Sequence, residues 1–141
     1  MKPVVMPSYP HLLQEDTVVW SRWLAKNAHR VQGCWYDVRV GVPVSVPTGL
    51  HVSIDAVALG VTRKRIDVVC QTAGGIWVVE VKPYGNFTSL GQALVYARMF
   101  SVEYNAGLPV VSMVVCAEID PDLVDDFRDH GVLYEEVGFG P

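Results

Sequence analysis

The clearest hydrophobic alternation in the chain lies at residues 76–82. Successive side chains of a strand point to opposite faces, so this stretch would have two distinct sides. One side is wholly apolar and is made of Trp77, Val79 and Val81. The other starts apolar and ends with Glu80 and Lys82. An acid and a base at the end of a strand otherwise suited to burial indicate either a surface ion pair, which stabilises little, or a chemical site.

Residues 9–27 follow the period of an α-helix, with Ser8 as the predicted cap. Their apolar members fall within one arc, made of Leu12, Leu13, Val19, Trp20, Trp23 and Leu24. Asp16 lies near the centre of this arc and Glu15 at its edge. Acids in a first helical turn favour the macrodipole, but a carboxylate that faces the core is costly unless it is paired or holds a cation. We therefore expect one of the two acids to face a site.

The remaining elements are predicted from alternation, turns and caps. Strands are expected at 34–40, 64–71, 108–117 and 132–137, with a short strand at 51–59 and a proline-rich extended segment at 42–47. A helix capped by Thr88 or Ser89 should run to about Tyr104, and a short helix capped by Asp120 should start at Pro121 and end at Gly131. Ala73-Gly74-Gly75 should close a hairpin between 64–71 and 76–82. The order is α, a β-meander, α, β, α, β, which predicts an α/β fold with a mixed central sheet and helices on both faces.

Composition narrows the class of protein. The chain has 141 residues, half of them apolar and 18% charged, which fits a single globular domain spanning residues 1–141. The net charge of −4 argues against bulk non-specific binding of nucleic acid, although it leaves room for a local basic patch. The cysteines, Cys34, Cys70 and Cys116, are odd in number and lack CxxC spacing, which argues against a disulfide framework or a cysteine-based zinc site. The cytoplasm is the expected compartment, and no apolar run is long enough to span a membrane.

The predicted hairpin brings two acids together. Asp67 should share one face of its strand with Arg65 and Val69. It precedes the turn and would lie roughly across from residues 80–82, on a strand about 4.8 Å away. Asp67 and Glu80 could therefore share one cation, and carboxylate oxygens suit Mg²⁺ or Mn²⁺. Lys82 could then contact a phosphate or the attacking water. The alternative is a cross-strand charge cluster in which Arg65 and Lys82 pair the two acids.

Further candidates surround this hairpin. Gln92 and Tyr96 lie in one row of the following helix, and the alternative for both is packing against the sheet. A local basic strip could be formed by Arg63, Lys64, Arg65, Lys82 and Arg98, although a solvated charge run is the alternative reading of residues 63–65. The loop that begins at Tyr84 could touch nucleic acid.

The motifs taken together resemble the PD-(D/E)XK nuclease superfamily, which is restriction-endonuclease-like. Asp67 matches the acid of the first half-motif, Glu80 and Lys82 match E-x-K, and Gln92 with Tyr96 matches Q-x-x-x-Y. Glu15 would match the glutamate of the first helix in many members. Each motif alone is weak, but four in this order over residues 9–117 are much more specific.

Three positions depart from the family pattern or compete with it. Ile66 stands where the family often has proline. Asp55 competes with Asp67 for the first acid, and Asp16 competes with Glu15 for the helix acid.

The resemblance implies an αβββαβ core and metal-dependent hydrolysis of phosphodiester bonds in DNA. Asp67, Glu80 and the Val81 carbonyl would bind Mg²⁺ or Mn²⁺. Lys82 would orient the water or stabilise developing charge, Gln92 would position it, and Glu15 would ligate through water or a second metal. Tyr96 and Arg98 would contact backbone phosphates. The enzyme would be structure-directed or weakly specific, or would depend on a homodimer or a larger nucleoprotein assembly for targeting. The alternative is a non-catalytic module of this fold that binds nucleic acid or serves as an assembly subunit.

Overall fold

A computed structural model describes residues 1–42, 63–104 and 107–140. Its helices are α1 (Gln14–Asn27), α2 (Phe87–Tyr104) and α3 (Val124–Asp129), with 3₁₀ turns at Ala28–Arg30 and Pro121–Leu123. Its strands are β1 (Gly33–Val40), β2 (Lys64–Thr72), β3 (Gly75–Gly85), β4 (Val110–Ile119) and β5 (Val132–Glu136). The predicted order of these elements is confirmed. The expected strand at 51–59 and residues 43–47 of the extended segment lie outside the described residues.

The strands form a mixed sheet in the order β1-β2-β3-β4-β5. The pairs β1–β2 and β2–β3 are antiparallel, whereas β3–β4 and β4–β5 are parallel. A parallel pair needs a crossover connection, which α2 and α3 provide. The strand at 75–85 is therefore central, with an antiparallel neighbour on one side and a parallel neighbour on the other.

Helices cover both faces of the sheet, as predicted. On one face, α1 buries Trp20, Trp23 and Leu24 against the side chains of residues 68, 79, 81, 113 and 115. The indole rings of Trp20 and Trp23 stack at a centroid distance of 4.9 Å. On the other face, α2 packs Ala97 and Phe100, and α3 packs Phe127. We refer to these as the α1 face and the α2 face. In the described ranges, no helix combines the length and apolar character needed to span a bilayer.

The hairpin between β2 and β3 closes where the sequence predicts it. Thr72 pairs with Gly75 across a turn of Ala73 and Gly74. Gly75 has φ +152°, and a Cβ there would run into the Pro109 carbonyl, which accepts a 2.8 Å hydrogen bond from the Ile76 N–H. Only glycine fits this close approach. The turn fixes the register that sets Val68 opposite Val79.

The predicted start of the first helix is wrong. α1 begins at Gln14 after an uncapped Leu13, and Ser8 is not its cap. The preceding segment is held by Tyr9 instead, because its ring is buried in the core and its hydroxyl lies 2.8 Å from Ser21 Oγ. This tertiary contact keeps residues 9–13 out of the helix.

The second helix begins earlier than predicted, at Phe87, and the predicted cap at Thr88 or Ser89 is wrong. The Asn86 side chain accepts a 3.0 Å hydrogen bond from the Ser89 N–H, and Ser89 Oγ accepts a 2.8 Å bond from the Asn86 N–H. Asn86 therefore caps α2, and Ser89 completes a reciprocal capping arrangement. The predicted cap at Asp120 is confirmed, since its carboxylate accepts from the Asp122 N–H.

Candidate active site

The site lies where β2 and β3 part. Their ladder runs from Thr72–Gly75 to Val68–Val79, and one further step would set Asp67 opposite Glu80. At this step a side chain takes the place of a backbone acceptor. The Val81 N–H donates a 2.9 Å hydrogen bond to Asp67 Oδ2. This bond orients the Asp67 carboxylate beside Glu80. The structure thus brings the two acids together.

The alternation of side chains between the two faces of the sheet is interrupted in β2 at Asp67. Ile66 and Val69 both pack on the α2 face, while Val68 packs on the α1 face. The prediction that Arg65, Asp67 and Val69 share one face is therefore wrong, because a regular strand would alternate through Asp67. The alternation in β1 is interrupted at the facing position.

In β1, Tyr36 packs on the α1 face and Val38 on the α2 face. Between them lies Asp37, whose φ of +55° is rare for a residue with a side chain. By the register of the flanking pairs, Asp37 faces Asp67. Both strands therefore change side at facing aspartates, which turns the Asp67 carboxylate out of the regular pleat.

Glu80 is the most deeply buried acid of the site, with only 2% of its surface exposed. Its Oε1 atom has no hydrogen-bond partner. Burial raises the pKa of Glu80 well above its usual range, and the charge of Asp67 and a hydrogen bond with that side chain raise it further. Lys82 acts in the opposite direction on this pKa. The carboxylate is thus short of positive charge and of donors.

The structure places Asp16, not Glu15, at this cluster. Asp16 is 4% exposed, whereas Glu15 is exposed at the helix surface. Burial raises the pKa of Asp16 to about 6, Lys82 opposes the rise, and Asp67 adds to it. Both charges therefore lie within electrostatic reach of Asp16. The preference for Glu15 as the acid of the first helix is corrected, because that side chain faces outward.

The helix α2 contributes Gln92 and Tyr96. Burial raises the pKa of Tyr96, Glu80 and Asp67 add to the rise, and a hydrogen bond with Gln92 opposes it. The Gln92 Oε1 atom is buried and has no partner. Two oxygens, one from Gln92 and one from Glu80, are thus left without donors in the same neighbourhood. The alternative of simple helix packing does not account for this shortage.

The predicted basic strip is only partly available to a ligand. Arg63 donates to the Gly41 carbonyl at 3.0 Å and pairs with Glu103 at 2.6 Å. Arg65 lies 2.6 Å from the ring of His11. Lys64 and Arg98 are exposed, and Lys82 is half-buried. The competing acid Asp55 lies outside the described residues.

Sequence reasoning missed a polar network beside Asp67. The His11 Nε2 atom lies 2.9 Å from Asp37 Oδ2, and Arg39 approaches the same oxygen at 3.2 Å. His11 itself has φ +61°. In the sequence, Asp37 is one polar position of an apolar strand. Its neighbours in the sequence do not predict its positive φ.

The donor set can be tested against a divalent metal. Across residues 1–42, 63–104 and 107–140, no three His, Cys, Asp or Glu side chains converge as a metal-ion site does. Asp67 and Glu80 supply two carboxylates, and the unpartnered Glu80 oxygen is the kind of atom that a cation would satisfy. With a backbone carbonyl and waters, this oxygen set suits Mg²⁺, which keeps several waters when it binds protein.

Comparison with known proteins decides the fold. No family model and no curated protein matches the sequence. Among solved structures, the EndoMS–dsDNA complex matches 96% of this chain and 50% of its own, with a TM-score of 0.53 and 14% identity. The fold is restriction-endonuclease-like.

Two less similar structures also match. A repair endonuclease from Pyrococcus abyssi covers 74% of this chain, with a TM-score of 0.46 and 15% identity. A protein of unknown function covers 90%, with a TM-score of 0.47 and 15% identity. This restriction-endonuclease-like chain spans only 39%, 50% and 58% of the repair endonuclease, EndoMS and the third protein.

Proposed function

We propose that the chain is a metal-dependent deoxyribonuclease that hydrolyses phosphodiester bonds of DNA with Mg²⁺ or Mn²⁺. One observation carries the proposal. The Glu80 carboxylate is buried with an unpartnered oxygen, beside Asp67 and within electrostatic reach of Lys82. Strongly perturbed acids in such a cluster are typical of functional sites.

The energetic cost of this cluster supports a function. An unsatisfied buried polar group costs about 1–3 kcal/mol, and a charged one costs more. A purely structural domain would gain stability from an apolar residue at position 80. A bound cation would remove the cost, with Asp67, Glu80 and the Val81 carbonyl as its ligands. Asp16 of α1 would act on the cation through water. Bound Mg²⁺ supplies polarisation of the phosphate and a lowered pKa for water.

The other residues have roles that follow from their positions. The Lys82 ammonium stabilises negative charge that develops on the phosphate. The Val81 N–H holds the Asp67 carboxylate toward Glu80. Gln92, on the helix opposite, orients Lys82 or the attacking water through its free Oε1, and Tyr96 and Arg98 contact the DNA backbone.

DNA as the partner is supported by the fold. EndoMS, whose fold the chain shares, has been captured in complex with double-stranded DNA. The surplus of acids in this chain, a net charge of −4, is compatible with a site that recruits a cation before it meets phosphates. A homodimer or larger nucleoprotein assembly would supply substrate selection.

The proposal is tested by cleavage of plasmid, linear and branched DNA in Mg²⁺ or Mn²⁺. We expect Glu80→Gln and Lys82→Ala each to lower the rate at least about a hundredfold, as losses of charge stabilisation do. The matched control is Asp125→Asn, which changes an exposed acid of α3 and should retain wild-type activity. Urea denaturation at pH 8 should show Glu80→Gln to be more stable than wild type by about 1 kcal/mol, so its inactivity cannot be ascribed to unfolding.

Two results would contradict the proposal. Cleavage that survives both substitutions would show that the site lies elsewhere. DNA binding without cleavage of any substrate in either metal would favour the non-catalytic module.

A further inference from the structure

An exposed pair of aromatic rings lies outside the hydrophobic core. Tyr84, at the end of β3, is 58% exposed, and Phe139, after β5, is 48% exposed. Their ring centroids are 5.1 Å apart at an interplanar angle of 50°. Together with Val18 and Pro83 they line an open cleft of about 320 Å³. We call Tyr84 and Phe139 the aromatic pair.

The position of Phe139 is fixed by backbone contacts. The Arg22 Nη1 atom donates to the Gly138 carbonyl at 2.8 Å, and the Gly138 N–H donates to the Ala117 carbonyl at 2.9 Å. Gly138 has φ +76°, which turns the chain toward Tyr84. These bonds hold the chain beside Phe139 in a fixed position with the ring partly exposed, although burial of an apolar ring would be more favourable.

The cleft adjoins the acid cluster. Tyr84 follows Lys82 by two residues, so their Cα atoms are at most about 7 Å apart. On the opposite wall, Glu15 precedes Asp16 in α1. A phosphate held at Lys82 would have its neighbouring nucleotide at the mouth of the cleft.

We propose that the aromatic pair stacks on an unpaired nucleobase next to the phosphate that is cleaved. This inference rests on the proposed function and names its substrate class: DNA with an unpaired nucleotide, as in a single-stranded tail. Aromatic side chains bind bases by their faces, and a base inside an intact duplex already has both faces stacked. The cleft is at the small end of ligand pockets, which fits one planar base. Continuity with the acid cluster favours a nucleotide over an unrelated apolar ligand.

The test is equilibrium binding without divalent metal, so that cleavage does not enter. Fluorescence anisotropy would measure the affinity of the full chain for a labelled oligothymidylate and for a blunt hairpin duplex. We expect Tyr84→Ala and Phe139→Ala each to weaken oligothymidylate binding about tenfold and to change duplex binding less than twofold. Phe139→Leu, which keeps the apolar bulk but not the ring, should behave like Phe139→Ala, whereas Tyr84→Phe should bind as wild type does.

The matched control is Tyr104→Ala. Tyr104 is 46% exposed and belongs to another aromatic pair, with Phe100, at the far end of α2. It should bind both ligands as wild type does.

Several outcomes would overturn the inference. These are alanine variants that retain oligothymidylate binding, an equal loss for tail and duplex, full binding by Phe139→Leu, or no binding of either DNA by wild type. A second measurement separates this inference from the nuclease proposal. If cleavage depends on Glu80 but the ratio of cleavage rates on tailed and blunt DNA is the same in Tyr84→Ala as in wild type, the role of the aromatic pair is refuted and the nuclease proposal stands. If the alanine variants lose oligothymidylate binding but the wild type cleaves no DNA, the aromatic pair binds a base and the nuclease proposal is refuted.

Discussion

Two glutamates of this chain occupy opposite electrostatic environments. Glu80 is buried without a full set of donors, and its pKa is raised. Glu135 accepts two 2.8 Å hydrogen bonds from Arg30 and one of 2.8 Å from Trp23 Nε1. The Arg30 guanidinium lowers the pKa of Glu135 despite partial burial. The same residue type thus stabilises the fold at one position and costs stability at the other.

The Glu135 network predicts a pH-dependent contribution to stability. A folded pKa below the unfolded value stabilises the protein above the unfolded pKa, near 4.5, and this stabilisation is lost as the pH falls through the lowered folded pKa. We expect Glu135→Gln to cost about 1 kcal/mol in the free energy of unfolding at pH 7, a value reduced by solvent screening. The difference from wild type should vanish in strongly acidic urea titrations. Glu118→Gln, which changes an exposed acid at the end of β4, is the control and should stay within about 0.5 kcal/mol of wild type at pH 7.

At the scale of elements, α1 acts as a separate layer that delivers an acid to the sheet. Its stacked tryptophans fill the α1 face, and this docking carries Asp16 to Lys82 and Asp67. The apolar period of the sequence predicts the helix and places Asp16 near the centre of its buried arc. It could not predict the start of the helix, because that depends on the contact between Tyr9 and Ser21, which are 12 residues apart in the sequence.

The hairpin that sets the register of the site offers a matched pair of glycines. Gly75→Ala would press a Cβ against the Pro109 carbonyl at an unfavourable φ, and we expect a loss of about 2 kcal/mol or more in stability. Gly74→Ala meets nothing within 4 Å and should stay within about 0.5 kcal/mol of wild type. Denaturant unfolding of the two variants measures the difference. Equal effects would show that the close approach does not constrain the turn.

The sequence predicted most of the sheet but not its irregularity. Turn chemistry at Ala73-Gly74-Gly75 and the alternation after it place Glu80 and Lys82 correctly, because both signals are local. The change of face at Asp37 and Asp67 is not local. It accompanies a positive φ at Asp37, whose carboxylate is held by His11 and Arg39. Contacts of this kind exist only once the chain has folded, so no period in the sequence marks them.

At the scale of the whole molecule, part of the positive charge near the candidate site is not available to DNA. The net charge is −4, and Arg63 and Arg65 are engaged within the chain. Lys64 and Arg98 are exposed. A nuclease with this charge distribution would depend on local contacts and on its cation more than on a broad basic surface.

This distribution predicts a shallow salt dependence of DNA binding. Each phosphate neutralised by the protein adds about 0.9 to the slope of log affinity against log salt, so the wild-type slope should reflect only a few contacts. Lys64→Gln and Arg98→Gln should each reduce the slope by about 1. Arg63→Gln should reduce it less, because Arg63 already pairs with Glu103. Anisotropy titrations in increasing KCl measure the slopes, and a steep slope that none of these variants changes would contradict the assignment.

The central position of β3 has a consequence for synthesis on the ribosome. The acids, the lysine and the helix residues of the candidate site all lie before residue 99, so they are made first. β4, which covers the second edge of β3, follows at residues 110–119. Until then, a strand of apolar residues would present an unpaired edge, which is prone to join other chains. The nascent chain would therefore carry every group of the candidate site before it has a sheet able to hold them.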